Sequence, residues 1–350
     1  MKLADIAKMA NVSKSTASLV LNGKPGVSDA KRAEILKLLE DSNYVRLRQP
    51  AQAKTPTNSP KVRFAAGTNE NVVSLDYQQP FFNELIAYIS SEINAAGLSL
   101  LMSIFPKDSL LEDIKNAELE EPSLGIILLG TNLTSALLRP ISEAFENLVI
   151  IDTESSGIDC NTVTMNNFLG SFTAANYLLD LGHQKIGYIK GRPRINNFFD
   201  RRRGFVAALN ERDIDVEHLT VFQMRGMQLF AAEQHLEALL YFAKSVTAIF
   251  CENDYIALSL IKLLQQNEIS VPDDVSVIGF DDIHESWVIT PELTTVHVPL
   301  REIANETVRL LHSKIESSGN KQAKKQIFLN PELIVRNSVK NLRHANKKIN

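Results

Sequence analysis

The sequence of 350 residues predicts an α/β protein: an N-terminal helix-turn-helix head of three helices, followed by two doubly wound parallel-sheet lobes. Three observations predict this organisation. Residues 1–60 carry ten basic against five acidic side chains, whereas the remaining 290 residues have a net charge of −9. Apolar residues in the basic part recur at helical spacing. Beyond it, short apolar strands alternate with helices, as in parallel sheets that are covered on both faces.

The composition excludes several classes of protein. Hydrophobic residues make up 44% of the chain and charged residues 22%, which is typical of folded globular proteins. No apolar run approaches the ~18 residues of a membrane-spanning helix, and residues 1–14 lack the features of a secretory signal. The two cysteines, Cys160 and Cys251, have no metal-ligand spacing. We therefore expect a cytoplasmic protein with no membrane segment, disulfide, metal or cofactor.

The first sixty residues predict three short helices. The apolar stripe of the first helix consists of Leu3, Ile6, Ala7 and Ala10. Ser13 is placed to cap a second helix over residues 14–21, after a turn of about three residues. Ser28 caps a third helix, whose apolar face consists of Ala33, Ile35, Leu36 and Leu39. In helix-turn-helix units of this kind the second helix lies in the major groove of DNA.

The head also follows one continuous motif, D-[IV]-A-x-x-A-x-V-S-x-x-T-[VA]-S-x-V-[LI]-N, then V-S and a tyrosine after the third helix. The matching residues are Asp5, Ile6, Ala7, Ala10, Val12, Ser13, Thr16, Ala17, Ser18, Val20, Leu21, Asn22, Val27, Ser28 and Tyr44. In this motif the chain resembles the LacI/GalR family of bacterial transcription repressors. The resemblance implies a homodimer that binds a pseudo-palindromic, double-stranded DNA operator.

The resemblance places the base-reading positions of the family on Lys14, Ser15 and Leu19. The full set of residues expected to contact DNA is Lys14, Ser15, Thr16, Ser18, Leu19 and Asn22 in the head, and Leu47 after it. The family usually has an arginine where Leu19 stands here. Leucine cannot form the bidentate hydrogen bonds of arginine to guanine, but it can contact a thymine methyl group. We therefore expect an altered operator preference.

The linker departs from the family pattern, in which a short hinge helix inserts a leucine into the minor groove. That leucine is replaced here by Ala53, which is too small to unstack a base step. Pro50 falls inside the expected hinge helix, where proline costs about 3 kcal/mol. We expect this protein to bend its operator less than its relatives do, or to use Leu47 as the wedge.

From residue 62 onward, two series of strands and helices follow each other. The predicted strands span 62–67, 98–104, 125–130 and 148–152, then 185–190, 218–222, 248–252 and 275–279. The predicted helices span 82–94, 110–119 and 135–145, then 167–181, 200–210, 228–242 and 255–266. Ligands of open parallel sheets bind at the carboxyl ends of the strands, which predicts a ligand site in the cleft between two lobes.

The second part of the chain resembles the effector domain of the same family, which has the fold of periplasmic sugar-binding proteins. The matching segments are 166–191, 248–258, 271–283, 290–299 and 330–338. The resemblance places the effector contacts on Phe81, Phe82, Asp152, Arg201, Asn253 and Asp281. Carboxylate acceptors with arginine and asparagine donors suit the hydroxyl groups of a sugar. For one of Phe81 and Phe82, ordinary packing in the core is an equally good interpretation as contact with the effector.

The identity of the effector stays open between a sugar and a sugar phosphate. Four arginines near Arg201 would favour a phosphate, although solvated surface arginines are the commoner case; they are Arg192, Arg194, Arg202 and Arg203. Asp282 is expected to be a turn or capping residue. Val298 stands at a position where the family has a polar residue in contact with the effector. The identity of the effector therefore cannot be inferred from a relative.

Other classes of function are weighed against this interpretation. The sequence has no GxGxxG, GxxxxGK[ST], GxSxG or HExxH motif, so we expect no enzyme. A solute-binding protein of a transporter would need an export signal and no basic head. A DNA-binding regulator controlled by a protein, or without effector, is the remaining alternative.

The expected domains are a head (1–47), a linker (48–61), a body (62–340) and a basic tail (341–350). The tail lacks a leucine heptad, which favours a dimer over a tetramer.

Overall fold

The structure is a computed structural model of the chain and comprises two compact units, Met1–Asn58 and Ser59–Asn350. In the second unit it describes residues 59–68, 79–154, 157–217, 219–226, 235–317 and 323–343. In the first unit it describes residues 7–10, 12–13, 16–17, 20, 27–28, 31–32, 34–35 and 37–38.

The described residues of the first unit are helical in three segments, around residues 7–9, 16–20 and 31–38. Ala10, Val20 and Ile35 are buried together and form its core. Ser13 caps the second segment as predicted, because its Oγ accepts a hydrogen bond of 3.1 Å from the backbone N of Thr16. Thr16 is half-buried. The other predicted DNA contacts, and the hinge positions, lie outside the described residues: Lys14, Ser15, Ser18, Leu19, Asn22, Leu47, Pro50 and Ala53.

The second unit consists of two lobes, and the first is built on a parallel sheet that has six strands among the described residues. Its strands are β1 (Lys61–Thr68), β2 (Ser99–Pro106), β3 (Ile126–Leu129), β4 (Leu148–Ile151), β5 (Asn161–Met165) and, from late in the chain, β11 (Gln326–Leu329). Its helices are α1 (Pro80–Ala95), α2 (Leu110–Glu120), α3 (Ser135–Ala144) and, again from late in the chain, α8 (Leu300–Glu316). The strand order is β11-β5-β4-β3-β1-β2. β1 begins at the last residue of the predicted linker.

The second lobe has a parallel sheet of four described strands in the order β7-β6-β8-β9. The strands are β6 (Ile186–Arg192), β7 (Val221–Arg225), β8 (Ala248–Cys251) and β9 (Ser276–Ile278). The helices are α4 (Asn167–Asp180), α5 (Asn196–Asn210), α6 (Leu236–Lys244) and α7 (Asp254–Gln266). A short antiparallel pair, β10 (Thr295–His297) with β12 (Glu332–Ile334), lies where the chain passes between the lobes.

The residues explain why the central strands are buried and where the helices begin. β3, β4 and β8 are buried along their whole length because helices cover both faces of each sheet. Asn166 caps α4 and Asn253 caps α7, each through a side-chain oxygen that accepts a backbone N–H of the first turn. Pro80 occupies the first turn of α1, where a missing N–H costs nothing.

Several predicted bounds were wrong. The strand predicted over 98–104 as buried on both faces is β2, an edge strand of its sheet, and its Met102 and Ile104 are exposed. The strand predicted over 218–222 is β7, which begins at Val221 and is also an edge strand. The helix predicted to start at Asp200 starts at Asn196. The helix predicted over 228–242 is described from Leu236 to Lys244. No helix in the described ranges is both long and apolar enough to cross a membrane.

Candidate ligand site between the two lobes

The six residues predicted to contact an effector lie around one cavity at the junction of the lobes. They are Phe81, Phe82, Asp152, Arg201, Asn253 and Asp281. The cavity is bounded by the carboxyl ends of β4 and β8 and by the amino-terminal turns of α1 and α7. The cavity itself is narrow, with a volume of about 20 Å³ free for the centre of a water molecule. The fold therefore brings together residues that are up to 200 positions apart in the chain.

Asp152 follows β4 in the left-handed backbone region, with φ of 58°, and is buried. Its Oδ1 accepts a hydrogen bond of 2.9 Å from Nδ2 of Asn197, which belongs to the other lobe. Its Oδ2 accepts a hydrogen bond from the hydroxyl group of Thr131. Burial raises the pKa of Asp152 to about 6, although these two hydrogen bonds and the nearby Arg201 favour the carboxylate.

Arg201 lies on α5 and is 3% exposed, so that its charge depends on protein partners. Its Nε donates to Oδ1 of Asn167 at 2.8 Å, and its Nη1 donates to the backbone O of Glu252 at 2.6 Å. Its Nη2 lies 2.9 Å from Oδ1 of Asp281 in an ion pair. The guanidinium carbon also lies 3.7 Å from the ring centre of Phe280. The side chain is thus fixed in one orientation.

Asp281 follows β9 with φ of 121°, a backbone conformation that non-glycine residues adopt rarely. Burial raises its pKa to about 7, Arg201 opposes this rise, and Asp152 adds to it. Oδ1 of Asp281 is buried, and its partner among the described residues is Nη2 of Arg201 at 2.9 Å. The ion pair with Arg201 therefore leaves acceptor capacity on this carboxyl group.

Asn253 lines the cavity, but both ends of its amide group have partners in the protein. Its Oδ1 accepts from the backbone N of Ile256 at 3.1 Å, and its Nδ2 donates to the backbone O of Gly226. In the described contacts Asn253 therefore serves as the N-cap of α7. One hydrogen of Nδ2 is left for a ligand.

Phe81 and Phe82 pack edge to face, with ring centres 5.4 Å apart, and both are buried while lining the cavity. The two side chains thus pack in the core and also form part of the cavity wall. The backbone N of Phe81 donates a hydrogen bond of 3.2 Å to Oη of Tyr255. Since Phe81 belongs to the first lobe and Tyr255 to the second, this bond connects the lobes across the cavity.

Sequence reasoning missed five residues that line the cavity: Thr131, Ile195, Asn197, Phe198 and Tyr255. Two signals could have found some of them. Asn197 precedes Arg201 by four residues, which puts both on one face of α5. Thr131 follows β3 as Asp152 follows β4, and neighbouring parallel strands end at the same edge of a sheet.

Two of the four arginines near Arg201 pair with acidic side chains. Arg194 forms an ion pair with the buried carboxylate of Glu252, and Arg203, which is 68% exposed, pairs with Asp200 at 2.9 Å. The guanidinium carbon of Arg202 lies 5.3 Å from the ring centre of Tyr188. Two of these side chains, Arg194 and Arg202, are half-buried, so the interpretation as solvated surface residues was wrong for them.

Asp282 is a structural residue, as predicted. It accepts hydrogen bonds from Oγ of Ser286, Nδ1 of His297 and a guanidinium nitrogen of Arg336, at distances between 2.6 and 3.0 Å. These partners hold the turn that carries Asp281. Val298 is buried, as expected for an apolar residue at that position.

Comparison with known proteins agrees with this architecture. Residues 2–46 match the family model described as bacterial regulatory proteins, lacI family, and residues 175–339 match the periplasmic binding protein-like domain. The chain is 30% identical to the HTH-type transcriptional repressor PurR of Mannheimia succiniciproducens, over 97% of this chain and 99% of that protein. It is 31% identical to the probable HTH-type transcriptional repressor ExuR of Bacillus subtilis, over 97% and 98% of the two chains.

Solved structures have the same fold. The cellobiose complex of the transcriptional regulator CelR matches with a TM-score of 0.69 and 22% identity, over 97% of this chain and 99% of that chain. The lac repressor dimer bound to operator and an anti-inducer matches with a TM-score of 0.67 and 22% identity, over 97% and 98%. The relatives of at least 30% identity extend over nearly the whole length of both chains, and on this evidence the protein belongs to the lacI family of bacterial regulatory proteins.

Proposed function

We propose that this protein is a DNA-binding transcriptional repressor whose affinity for its operator is controlled by a small carbohydrate in the cavity between the lobes. The observation that carries the proposal is the buried group of Asp152, Arg201 and Asp281 at the lobe junction, in a chain whose relatives are named repressors. Charged groups are rarely buried unless they are paired or serve a ligand.

The chemistry of this group suits a sugar. Carboxylates accept hydrogen bonds from hydroxyl groups, and the aromatic rings of Phe81, Phe82 and Phe198 offer apolar surface to the C–H face of a sugar ring. A wrong epimer would leave a buried carboxylate without its donor, which supplies discrimination. Ribose and cellobiose are bound in two of the regulators with this fold.

Control of DNA binding follows from the position of the cavity. Hydrogen bonds join the lobes directly at its edge: Asn197 to Asp152, Asn196 to Thr153 and Phe81 to Tyr255. A ligand that takes over some of these polar groups has different affinity for different lobe arrangements. Such a difference is what a ligand needs in order to shift an equilibrium.

The head supplies the DNA contacts in this proposal. Lys14, Ser15, Ser18 and Leu19 read the major groove as part of a homodimer on a pseudo-palindromic site. Thr16, Asn22 and Leu47 complete the contacts. The head (1–47), linker (48–61), body (62–340) and tail (341–350) remain the proposed domains. The protein acts in the cytoplasm, where its DNA is, and has no catalytic role.

A selection of binding sites from random duplex DNA tests the head. We expect enrichment of a pseudo-palindrome whose half-sites differ from the common family consensus at the base facing Leu19. Affinity for the selected duplex should fall steeply with salt because bound counterions are released. Absence of any preference over random competitor DNA would refute the proposal.

Bending of the selected duplex tests the linker. Ala53→Leu restores the side chain that the family inserts between base steps, so this variant should bend the duplex more than the unaltered protein does. Electrophoresis of circularly permuted fragments measures the bend. Strong bending by the unaltered chain would contradict the expectation.

A further inference from the structure

We propose that the hydrogen bond between His297 and Asp282 is a pH-sensitive link at the hinge of the two lobes, which holds one wall of the ligand site more firmly when His297 is protonated. The pH of the solution thereby acts on the ligand site as a second input. The inference goes beyond the proposed function, because it holds whichever ligand the cavity takes. Three features carry it: the position of the link, the charges around His297, and the access of His297 to water.

The link joins the hinge strand β10 to the turn that carries Asp281. Nδ1 of His297, on β10, lies 3.0 Å from Oδ2 of Asp282, which follows Asp281 in the chain. The backbone makes the same connection, because the N–H of Asp281 donates to the O of Val296 at 2.9 Å. Asp281 and His297 also form an isolated parallel bridge. A change at the His297 side chain therefore acts directly on a residue that lines the ligand site.

The other oxygen of Asp282 is bound by the segment after β12. Nη2 of Arg336 donates to Oδ1 of Asp282 at 2.6 Å, and arginine stays protonated in proteins. Although burial opposes ionisation, the hydrogen bonds from His297 and Arg336 hold the pKa of Asp282 below its ordinary value. Asp282 thus stays a carboxylate near neutral pH. Of its two cationic partners, His297 is the one that titrates there.

Acidic side chains face His297 from three elements. Asp282 comes from the turn after β9, and Glu332 lies opposite His297 on β12. Glu302 lies in the first turn of α8. The hydrogen bond to Asp282 raises the pKa of His297 above its ordinary value of 6.5; partial burial opposes this rise, and the charges of the two glutamates add to it. The surroundings therefore favour the imidazolium form.

His297 exchanges protons with the solvent although the ligand site beside it is buried. Its side chain is 45% exposed. It lines a second cavity, at the hinge, together with Glu302 and Glu332, and this cavity has a volume of about 350 Å³ free for the centres of water molecules. The hinge histidine thus responds to the pH of the solution without any opening of the lobes.

The sign of the effect follows from the raised pKa of His297. Below about pH 6 His297 is charged, and its hydrogen bond to the Asp282 carboxylate is charge-assisted. As the pH rises through the raised pKa, this contribution is lost, because a neutral imidazole donates more weakly and can also place its proton on Nε2. The turn that carries Asp281 is then held less firmly in alkaline than in slightly acidic solution.

Amide hydrogen exchange at Asp281 tests the link in the full-length protein. The protection factor of this amide is measured by NMR between about pH 6 and 9 in the unaltered protein and in His297→Gln, which keeps a hydrogen-bond donor but does not titrate. We expect the ratio of the two protection factors, unaltered over variant, to fall roughly 3- to 10-fold over this range, since water screens a half-exposed pair. A ratio that stays constant would overturn the inference.

Two further variants exclude other sources of the pH dependence. Asp281 itself titrates near pH 7, so the comparison is repeated in the Asp281→Asn background, where the fall in the ratio should persist. A fall that disappears in this background would overturn the role of His297. His312→Gln makes the same change at an exposed histidine near the end of α8 and should keep the pH dependence of the unaltered protein.

NMR titration of the imidazole groups adds a measurement on the unaltered protein. The chain has seven histidines, and the signal of His297 is the one that is lost in His297→Gln. We expect His297 to titrate above its ordinary pKa of 6.5 because of its bond to Asp282. A pKa of His297 at or below 6.5 would overturn the inference.

Discussion

Asp254, the first residue of α7, has a completely buried carboxyl group next to the ligand site. It accepts hydrogen bonds from Oγ1 of Thr295 at 2.6 Å and from the backbone N of Ile283 at 3.1 Å. Burial raises the pKa of Asp254 to about 8, and the negative charge of Asp281 adds to this rise. The folded protein thus holds a proton that the unfolded chain, with a pKa of 3.8, releases.

This difference in pKa makes stability depend on pH. Between about pH 4 and 8 the folded state binds more protons than the unfolded state, so the contribution of Asp254 to stability falls as pH rises. Asp254→Asn does not titrate. We predict that the free energy of unfolding of the unaltered protein, relative to this variant, falls by at least about 1 kcal/mol over that range.

Urea titrations at several pH values measure this difference, in which titrating groups far from Asp254 cancel. A constant difference between the unaltered protein and Asp254→Asn would contradict the expected protonation.

At the scale of residues, sequence reasoning identified the charged members of the candidate site but not their neighbours. Asp152, Arg201 and Asp281 lie in motifs that resemble those of a known family, and the structure brings them to one cavity. Asn197 and Tyr255 lack such a motif. Asn197 reaches the cavity because α5 starts four residues earlier than predicted, and Tyr255 reaches it because the two lobes meet there. Local residue spacing predicts neither of these features.

Among the elements, the second helix of the head depends on its cap. Ser13 Oγ accepts the backbone N–H of Thr16, and loss of such a cap costs about 0.5–2 kcal/mol. We predict that Ser13→Ala lowers the urea concentration at which operator binding is half lost. Ser13→Thr keeps the hydroxyl group and should behave like the unaltered protein. Equal midpoints for Ser13→Ala and Ser13→Thr would contradict the role of the cap.

The packing of α4 against α5 depends on Gly204. A Cβ atom at this position would lie 2.0 Å from the backbone O of Phe168, and backbone cannot move aside cheaply. We predict that Gly204→Ala destabilises the body by roughly 1–3 kcal/mol in urea unfolding. Asn210→Ala, at the exposed end of the same helix, should change stability by less than about 0.5 kcal/mol. Similar stability of the two variants would show that the helices can separate without cost.

Apolar periodicity was sufficient to predict the central strands and most helices. It failed for strands whose place depends on pairing with distant parts of the chain. β3, β4 and β8 lie within the predicted ranges. β11 was not predicted, because a strand from late in the chain pairs with β5 of the first lobe, about 160 residues earlier. β5 itself, NTVTM, has buried threonines and no apolar run. α8 was also missed, although its apolar stripe could have revealed it.

For the whole molecule, hydrogen bonds between the lobes set how easily the cavity opens. Tyr255→Phe removes the hydroxyl group that accepts the backbone N–H of Phe81. A hydrogen bond of this type contributes about 0.5–1.5 kcal/mol, so we predict amide exchange at Phe81 to become about 2- to 10-fold faster. Tyr241→Phe, at a tyrosine that is 79% exposed, is the control. Unchanged exchange at Phe81 in Tyr255→Phe would show that this bond does not hold the lobes together.

The central claim is that occupancy of the cavity and affinity for the operator are coupled. The most direct measurement is the dissociation constant of the selected operator duplex, with and without a saturating amount of a sugar that calorimetry shows to bind. Allosteric coupling of the usual strength, about 1–3 kcal/mol, predicts a change of about 5- to 150-fold. Asp281→Asn should need a roughly 10- to 100-fold higher sugar concentration for the same change, because it loses a hydrogen bond to a charged group. An operator affinity that stays constant while calorimetry shows the cavity to be filled would contradict the account.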